Sequence, residues 1–501
     1  MAENASTRSD LDGSVSWRQR LCDQCGTINF EKALHGPISD QQLGLLNDIS
    51  ARASICDFCD LVSSVVTRKL QNYAKFKPVP DGIPIVCTLD GPVTYHGSGV
   101  ESHIRIKFRD KEAKHISYTD HLAECQLRFC PAPPPTADGI LTWNYCRKFS
   151  GRIVGPKVDT EFLRRWLQLC ESHHCVQCSQ PAWIDPSELP SKLCVIDVNQ
   201  MNVVNALKQC RYAALSYVWG RSCANDYFRT SKDNFEALQQ EQGLRPQCLP
   251  QTVKDAIDLV REMGEKYLWV DSICIIQDDL VVVNAQINQM DLIYAQAVFT
   301  IVAATGENAD AGLPRLHNPN MSVPQKLCQV ERCLDIMTEI DARQSQYLKN
   351  AWRTRGWTCQ EDLLSKRQLV FTDTQVFWRC LEDSWTEEIV TEPSGLDDKP
   401  DYGRVIDLYD SHELFEKTTR FSLVHYASIV SEYLKRSFTN KADIVDACKG
   451  FINRISRSSG EKFSLGSATK SARGGAAVDT LRPNNAAKLL LHPAPRQWVC
   501  K

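Results

Sequence analysis

Apolar residues between positions 211 and 362 change repeatedly from strand-like runs to helix-like spacing. Three short runs rich in β-branched and aromatic residues are typical of buried strands: Tyr212–Val218, Tyr267–Val270 and Val298–Ala303. A helix is predicted between Pro250, which suits a helix start, and Gly264, which suits a helix end. A further helix is predicted over about residues 284–294. This alternation predicts an α/β fold, with a parallel sheet, right-handed crossovers and flanking helices.

Four consecutive regions are expected along the chain. Residues 1–208 contain paired cysteines and strand-like runs, which predict a cysteine-rich α+β region. Residues 209–362 hold the alternating pattern. Residues 363–456 carry apolar residues at helical spacing, so we expect a mostly helical extension. Residues 457–501 are rich in Ser, Gly, Ala and basic residues, and we expect either a disordered tail or an error in the gene model.

Polar and aromatic residues stand where two of the predicted strands end. These residues are Ser216, Tyr217, Trp219 and Gly220 after the first strand, and Asp271 and Ser272 after the second. Because ligands of parallel sheets bind beyond the carboxyl ends of the strands, the sequence predicts a nucleotide-sized cleft there. The alternative is that these side chains hydrogen-bond loops to the edge of the sheet.

Two Cys-x-x-Cys pairs form a candidate metal site near the amino terminus. The pairs are Cys22 with Cys25 and Cys56 with Cys59. Four thiolates can complete a tetrahedral zinc site, so we expect a structural zinc ion there. A redox role is disfavoured, because the pairs lack a thioredoxin-like context.

A second cysteine and histidine cluster follows a predicted amphipathic helix over 161–169. Its residues are Cys170, His173, His174, Cys175 and Cys178. Two interpretations stay open for it: a zinc site, or buried thiols at the end of a helix. A mixed site drawing on both clusters is a further alternative.

Charge and composition narrow the possible partners. The 501 residues include 58 basic and 61 acidic ones, a formal net charge of −3, which provides no field to attract nucleic acid or anionic membrane. The amino terminus lacks a secretory signal, and no apolar run reaches the roughly 18 residues of a membrane span. We therefore expect a cytoplasmic protein whose 22 cysteines are thiols or metal ligands.

Three blocks of sequence join an apolar run to polar and aromatic residues: RYAALSYVWG at Arg211–Gly220, YLWVDSICIIQDD at Tyr267–Asp279 and AWRTRGWTCQE at Ala351–Glu361. Together they resemble the fungal heterokaryon incompatibility (HET) domain. The resemblance implies an effector that triggers cell death after fusion of unlike fungal cells. It also implies partners, namely another incompatibility or signalling protein and further copies of this chain. One departure is Val282-Val283, where the family usually has an acidic residue and a tryptophan.

The HET domain is in turn distantly similar to the TIR domain, a flavodoxin-like fold, and many TIR domains cleave NAD. The TIR catalytic glutamate stands in a segment that resembles Trp357-Thr358-Cys359-Gln360-Glu361. The resemblance therefore implies that Glu361 is catalytic and that NAD is the substrate. A carboxylate there can stabilise an oxocarbenium-like ribose while nicotinamide leaves as a neutral group.

The remaining candidate residues would bind the substrate. Trp357 or Trp219 could stack on nicotinamide or adenine, Gly220 allows a phosphate to approach the backbone, and Asp271 could hold a ribose hydroxyl. A second hypothesis is a signalling scaffold that assembles through the same domain, with Glu361 purely structural. A zinc-dependent DNA-binding protein is disfavoured, because no basic helix accompanies the cysteine pairs.

Overall fold

The computed structural model describes residues 20–35, 38–74, 82, 84–91, 103–112, 114, 116, 123–131, 150–179, 190–220, 228–317, 325–331, 334–340, 350–393 and 423–459. It divides into two compact units. The first comprises residues 1–154, 323–340 and 387–391, and the second comprises residues 155–322, 341–386 and 392–501. Each unit is thus assembled from separate stretches of chain, which cross the boundaries of the four consecutive regions expected from the sequence.

The strands and helices have the following bounds. The strands are β1 (Ile38–Leu45), β2 (Ile85–Gly91), β3 (His103–Asp110), β4 (Glu124–Pro131), β5 (Cys194–Asp197), β6 (Asn202–Asn205), β7 (Ala213–Ser216), β8 (Tyr267–Trp269), β9 (Thr300–Ala303), β10 (Leu327–Glu331), β11 (Leu334–Thr338), β12 (Arg367–Phe371), β13 (Val376–Cys380) and β14 (Ser384–Thr386). The α-helices are α1 (Asp23–Gly26), α2 (Phe30–His35), α3 (Leu46–Ala51), α4 (Asp57–Ala74), α5 (Thr160–His173), α6 (Phe235–Gln239), α7 (Gln251–Glu262), α8 (Asp271–Cys274), α9 (Leu280–Ile287), α10 (Met290–Gln296), α11 (Ala351–Thr354), α12 (Trp357–Leu364), α13 (Leu423–Leu434) and α14 (Lys449–Ser459). Cys175–Ser179 forms a π-helical turn, and three 3-10 turns lie at Pro246–Cys248, Lys441–Ile444 and Asp446–Cys448. Each helix in the described part of the chain is too short or too polar to cross a bilayer.

The first unit is an antiparallel sheet with helix α4 packed across it. Its strand order is β1-β2-β3-β4-β11-β10. Along β3, Ile104, Ile106 and Phe108 are fully buried, whereas Arg105 on the opposite face pairs with Asp90 at 3.1 Å. This alternation is typical of a sheet with one face on a core and the other in water.

The second unit contains an eight-stranded mixed sheet in the order β14-β13-β12-β9-β7-β8-β5-β6. Its four central strands, β12, β9, β7 and β8, run parallel. Three of them are the strands predicted from the sequence as neighbours, and they are buried at nearly every position, as expected for strands covered on both faces.

Helices cover the second sheet much as the sequence predicts. Helix α7 begins after Pro250 and buries Val253, Ala256 and Val260. Gly264 follows its end with φ +81°, a left-handed conformation that glycine adopts without a steric penalty. The helix expected over 284–294 is two shorter helices, α9 and α10, because the chain turns between Asn288 and Gln289.

Two sequence-based expectations about the fold were wrong in detail. Residues 367–386 were expected to be helical but form β12, β13 and β14. The α/β class is confirmed, yet the sheet is parallel only at its centre. Strands joined by a short hairpin must run antiparallel, and the β5-β6, β12-β13 and β13-β14 connections are all of this kind.

A smaller apolar cluster follows the second sheet. Ile429, Val430, Tyr433 and Phe451 are buried there, which agrees with the helical spacing of this part of the sequence. Their cluster includes Cys359, so helix α12 is packed between the sheet and these helices. The tail expected over 457–501 lies outside the described residues from position 460 onward.

Candidate functional site

Three distant segments meet at the carboxyl end of the parallel strands. Strand β7 ends at Ser216, Asp271 lies two residues after the end of β8, and helix α12 carries Glu361. Because β7 and β8 are neighbouring parallel strands, their ends lie at the same edge of the sheet. This is the edge at which α/β folds bind ligands.

A chain of hydrogen bonds ends on the carboxylate of Glu361. The Trp352 indole N–H donates to Ser216 Oγ at 2.7 Å, and the Ser216 hydroxyl donates in turn to Glu361 Oε2. The Tyr294 hydroxyl also lies beside this carboxylate. Glu361 is only 6% exposed, so its position is fixed by buried partners.

A second set of contacts lies at the partly exposed side of the same edge. The Trp219 indole N–H donates to both oxygens of Asp271, at 2.9 and 3.1 Å, and the Ser272 backbone N–H donates to Asp271 Oδ1 at 2.7 Å. The hydroxyls of Tyr217 and Ser272 are 2.9 Å apart. These hydrogen bonds join loops to the edge of the sheet. Such a structural role is the alternative to ligand binding that the sequence left open for these residues.

Gly220 follows Trp219 with φ +84°, so this position needs a residue that tolerates a left-handed backbone. The next seven residues lie outside the described part of the chain. A phosphate-binding role for Gly220 therefore stays a prediction.

Arg355 is a further member of this site, and it was not among the site residues predicted from the sequence. Its guanidinium donates to the Tyr217 carbonyl at 3.2 Å, and its charge acts on both Asp271 and Glu361. Arg355 and Trp352 both stand in the AWRTRGWTCQE block. An arginine six residues from a candidate carboxylate was the signal available in the sequence.

Both carboxyl groups hold protons unusually tightly. Burial raises the pKa of Glu361 to about 7, and the nearby charge of Asp271 adds to the rise. Burial likewise raises the pKa of Asp271 to about 6, against the opposing hydrogen bonds of Ser272 and Trp219. Carboxyl groups whose pKa values are raised toward neutrality, and which act on each other through their charges, are common at functional sites.

Trp357 points to another part of the unit. Its indole N–H donates to Asp443 Oδ2 at 3.2 Å, and its ring packs against the apolar cluster of the carboxyl-terminal helices. These contacts match the core-filling role that buried tryptophans usually have. A stacking role for Trp357 stays a prediction.

The neighbour of Glu361, Asp362, has a different environment. It is fully buried and accepts from Arg353 Nη1 at 3.0 Å and from Arg379. The Gln368 amide donates to its main-chain carbonyl at 2.8 Å. This network joins helix α12 to strands β12 and β13 and holds the helix that carries Glu361.

The first metal-ligand cluster lies in the first unit. Cys22, Cys25, Cys56 and Cys59 come together as the sequence predicts, with all four sulfurs within 4.8 Å of one another. The sulfur of Cys59 is 3.8 Å from that of Cys22 and 3.5 Å from that of Cys25. Tetrahedral zinc bonds of about 2.3 Å place sulfurs about 3.8 Å apart, so the cluster can hold such an ion.

The second unit has a cluster of its own. Cys170, His174 and Cys178 lie together, as their spacing suggested, but the fourth member is Cys380 at the end of β13. The side chain of Cys175 is outside the described part of the structure. Sequence spacing could not reveal Cys380, because about two hundred positions separate it from the others.

Buried carboxyl groups at the carboxyl ends of parallel strands are an arrangement found in the class of α/β domains that bind ligands at that edge. Within this class, residues 212–361 match the family model described as heterokaryon incompatibility protein (HET). This segment of the chain is therefore similar to the HET domain, and such a domain suggests a role in heterokaryon incompatibility. The match ends at Glu361, and both cysteine clusters lie outside it. No curated protein and no solved structure matched the chain.

Proposed function

We propose that the protein is a heterokaryon incompatibility effector that triggers cell death by hydrolysing NAD at the nicotinamide–ribose bond. The proposal rests on the HET domain, on its distant similarity to TIR domains, and on the environment of Glu361. Water would add to the ribose C1′ as the glycosidic bond breaks. The products would be neutral nicotinamide, ADP-ribose and one proton.

The observation that carries the proposal is the position and protonation of Glu361. The side chain stands at the ligand-binding edge of the sheet with a pKa of about 7. A carboxylate fixed by Ser216 can stabilise positive charge on the ribose without rearranging during the reaction. A group that titrates near neutral pH can also accept the proton of the attacking water.

Arg355 and Trp219, which lie near Glu361, could bind the diphosphate and a base of NAD. Arg355 is half-buried, and its guanidinium donates a hydrogen bond to the Tyr217 carbonyl. Its guanidinium is therefore suited to a diphosphate, which arginine binds through two parallel hydrogen bonds. Trp219 is partly exposed beside Asp271 and offers a ring face for a base.

A second candidate function is a non-enzymatic scaffold that assembles through its HET domain. The burial of Glu361 favours it, because a carboxylate that is 6% exposed and bonded to Ser216 has the contacts of a structural group. Under the enzymatic proposal, self-association on activation would have to open this site to NAD. The two candidates therefore differ in what Glu361 does once the protein is active.

The metal content is part of the proposal. A zinc ion held by Cys22, Cys25, Cys56 and Cys59 would have four protein ligands and no open position, so its role would be structural. Arg52 lies beside this cluster, and a hydrogen bond to Cys59 raises the pKa of Arg52. A nearby cation is the complement expected for four thiolates.

The test is nicotinamide release by the purified full chain, measured over a range of protein concentrations, together with NAD content and survival of cells expressing it. Glu361→Gln keeps the size and hydrogen-bonding capacity of the side chain but cannot carry charge. We expect it to lower nicotinamide release by about 100-fold or more. The exposed Glu307→Gln is the matched control and should retain full activity.

Two results would decide against the enzyme. One is a stably folded Glu361→Gln variant that consumes NAD as fast as the parent. The other is a parent protein that kills cells without lowering their NAD, which would leave the scaffold as the function of the domain.

A further inference from the structure

Four potential metal ligands in the second unit come from three separate elements. Cys170 lies in the last turn of helix α5, His174 caps that helix, and Cys178 lies in the π-helical turn Cys175–Ser179. Cys380 is the last residue of strand β13. The elements belong to one compact unit, so their convergence is a property of its fold.

The geometry of this cluster is that of a tetrahedral site. The ligand atoms of the four residues all lie within 4.8 Å of one another. Sγ of Cys380 is 3.4 Å from Nδ1 of His174. Bonds from zinc of about 2.3 Å to sulfur and 2.1 Å to nitrogen require a separation of about 3.6 Å.

All four side chains are shielded from water. Cys170 and Cys178 are fully buried, Cys380 is 2% exposed and His174 is 6% exposed. The Trp385 ring covers His174 with centroids 5.8 Å apart, and it also stacks on Trp378. A site with four protein ligands and an aromatic wall leaves no position for substrate, so any metal there would be structural.

The charges around the cluster point to an anion at its centre. Lys366 and Arg367 are 8% and 2% exposed, and Arg367 Nε–H donates to Cys170 Sγ at 3.2 Å. Its other two nitrogens donate to the neutral oxygens of Val298 and Ser179. Among the described residues, no carboxylate lies within ion-pair distance of either cation. A buried guanidinium without a counter-charge is costly.

A zinc site with thiolate ligands would supply the missing negative charge. One zinc ion with three thiolates and a neutral imidazole has a net charge of about −1, because three negative ligands outweigh its two positive charges. The backbone N–H of Asp383 donates to Cys380 Sγ at 3.3 Å, a contact that also stabilises a thiolate. Glu171 also acts on Lys366, and the charge of Arg367 acts on Cys178, so an ionised Cys178 is the natural counter-charge of Arg367.

We propose that Cys170, His174, Cys178 and Cys380 bind a second zinc ion, which fastens helix α5 to strand β13 across the second unit. Binding releases the three thiol protons, and the ion is not reduced or oxidised. Two of the joined elements lie before the segment that matches the HET family, and the third lies after it. The HET domain of this chain therefore needs flanking residues on both sides to reach its full stability.

The test is the zinc content of the purified full chain, measured by elemental mass spectrometry. The parent should contain about two zinc ions per chain, and Cys380→Ser and Cys56→Ser should each contain about one. Replacement of zinc by cobalt gives a second readout, since thiolate ligands produce a visible charge-transfer band. Cys194→Ser, a half-buried cysteine of the same unit outside the cluster, should keep both ions.

Cys380→His guards against a result caused only by misfolding. Histidine can still bind zinc, so this variant should keep the second ion while its cobalt spectrum shifts with the loss of one thiolate. The proposal is overturned if Cys380→Ser binds as much zinc as the parent. It is also overturned if the cobalt spectrum of folded Cys380→His is that of the parent.

Discussion

The hydroxyl of Ser216 donates a hydrogen bond to the carboxylate of Glu361, although the two residues are 145 positions apart. Ser216 ends strand β7, and Glu361 lies in helix α12. Trp352 donates to the same serine oxygen, so the bond belongs to a buried chain of three side chains. The first and last of the three sequence blocks that resemble the HET domain thus build one site.

The pKa of Glu361 predicts how stability depends on pH. Its ordinary value is 4.5 and its folded value is about 7. Because the folded pKa is raised, the protonated side chain stabilises the fold fully below 4.5, and this contribution is lost as pH rises through 7. Glu361→Gln cannot ionise, so its free energy of unfolding should rise relative to that of the parent by about 2.5 kcal/mol between pH 5 and pH 8.

Denaturant unfolding of both proteins across this pH range measures the difference and does not depend on activity. The exposed Glu307→Gln is the control, and its difference from the parent should stay constant with pH. A Glu361→Gln difference that is equally flat would show that the carboxyl group titrates as an ordinary glutamate.

Two further variants should move the titration of Glu361 in opposite directions. Ser216→Ala removes a hydrogen bond that lowers the pKa of Glu361, so the midpoint should rise. Asp271→Asn removes a negative charge that raises it, so the midpoint should fall. The free energy of unfolding measured as a function of pH gives both titration midpoints. The pH dependence of nicotinamide release should shift in the same direction as the midpoint if ionised Glu361 is the catalyst. If both variants shifted the midpoint in the same direction, Ser216 and Asp271 would not act on Glu361 as the structure indicates.

The sequence predicts the parts of this site that depend on local pattern. Apolar runs located β7, β8 and β9, and their ends identified Ser216 and Asp271 as neighbours. The resemblance to known domains identified Glu361. Trp352 and Arg355 were missed because their roles follow from contacts with β7, which no local pattern encodes.

Strands β12 to β14 were missed for a similar reason. Residues 367–386 are buried at nearly every position, so neither a period of 2 nor a helical period is visible in their sequence. Cys380 lies in this segment, which explains why the second cluster was assigned only from its amino-terminal members. Long-range pairing with β9 decides the structure here.

The buried ion network of Asp362 predicts a large loss of stability. Asp362→Asn removes the charge that compensates Arg379, which is 5% exposed on its side chain, and Arg353. Leaving a buried cation unpaired costs about 3–5 kcal/mol, which thermal or denaturant unfolding can measure. Glu432→Gln, in the exposed pair with Lys435, should cost less than about 1 kcal/mol. Comparable losses for the two variants would contradict the structure.

Close packing at Gly356 predicts a steric effect. A Cβ atom at this position would overlap the ring of Phe438. We therefore expect Gly356→Ala to destabilise the second unit by about 1–3 kcal/mol, and Phe438→Leu in the same chain to restore part of the loss. Gly155→Ala is the control, since its nearest neighbour is a carbonyl oxygen at 3.4 Å, an ordinary contact. Melting temperatures of the three variants and the parent provide the measurement.

Zinc in the first unit should hold helix α1 against the start of helix α4. Cys25 lies in α1 and Cys59 lies in α4, so the ion would join the two helices directly. Cys56→Ser should therefore lower hydrogen-exchange protection over residues 23–26 and 57–60, while strands β12 to β14 keep theirs. Cys87→Ser changes a buried thiol of the same unit outside the cluster and should leave this protection intact. Unchanged exchange in Cys56→Ser would show that these helices are held by apolar packing, without help from a metal.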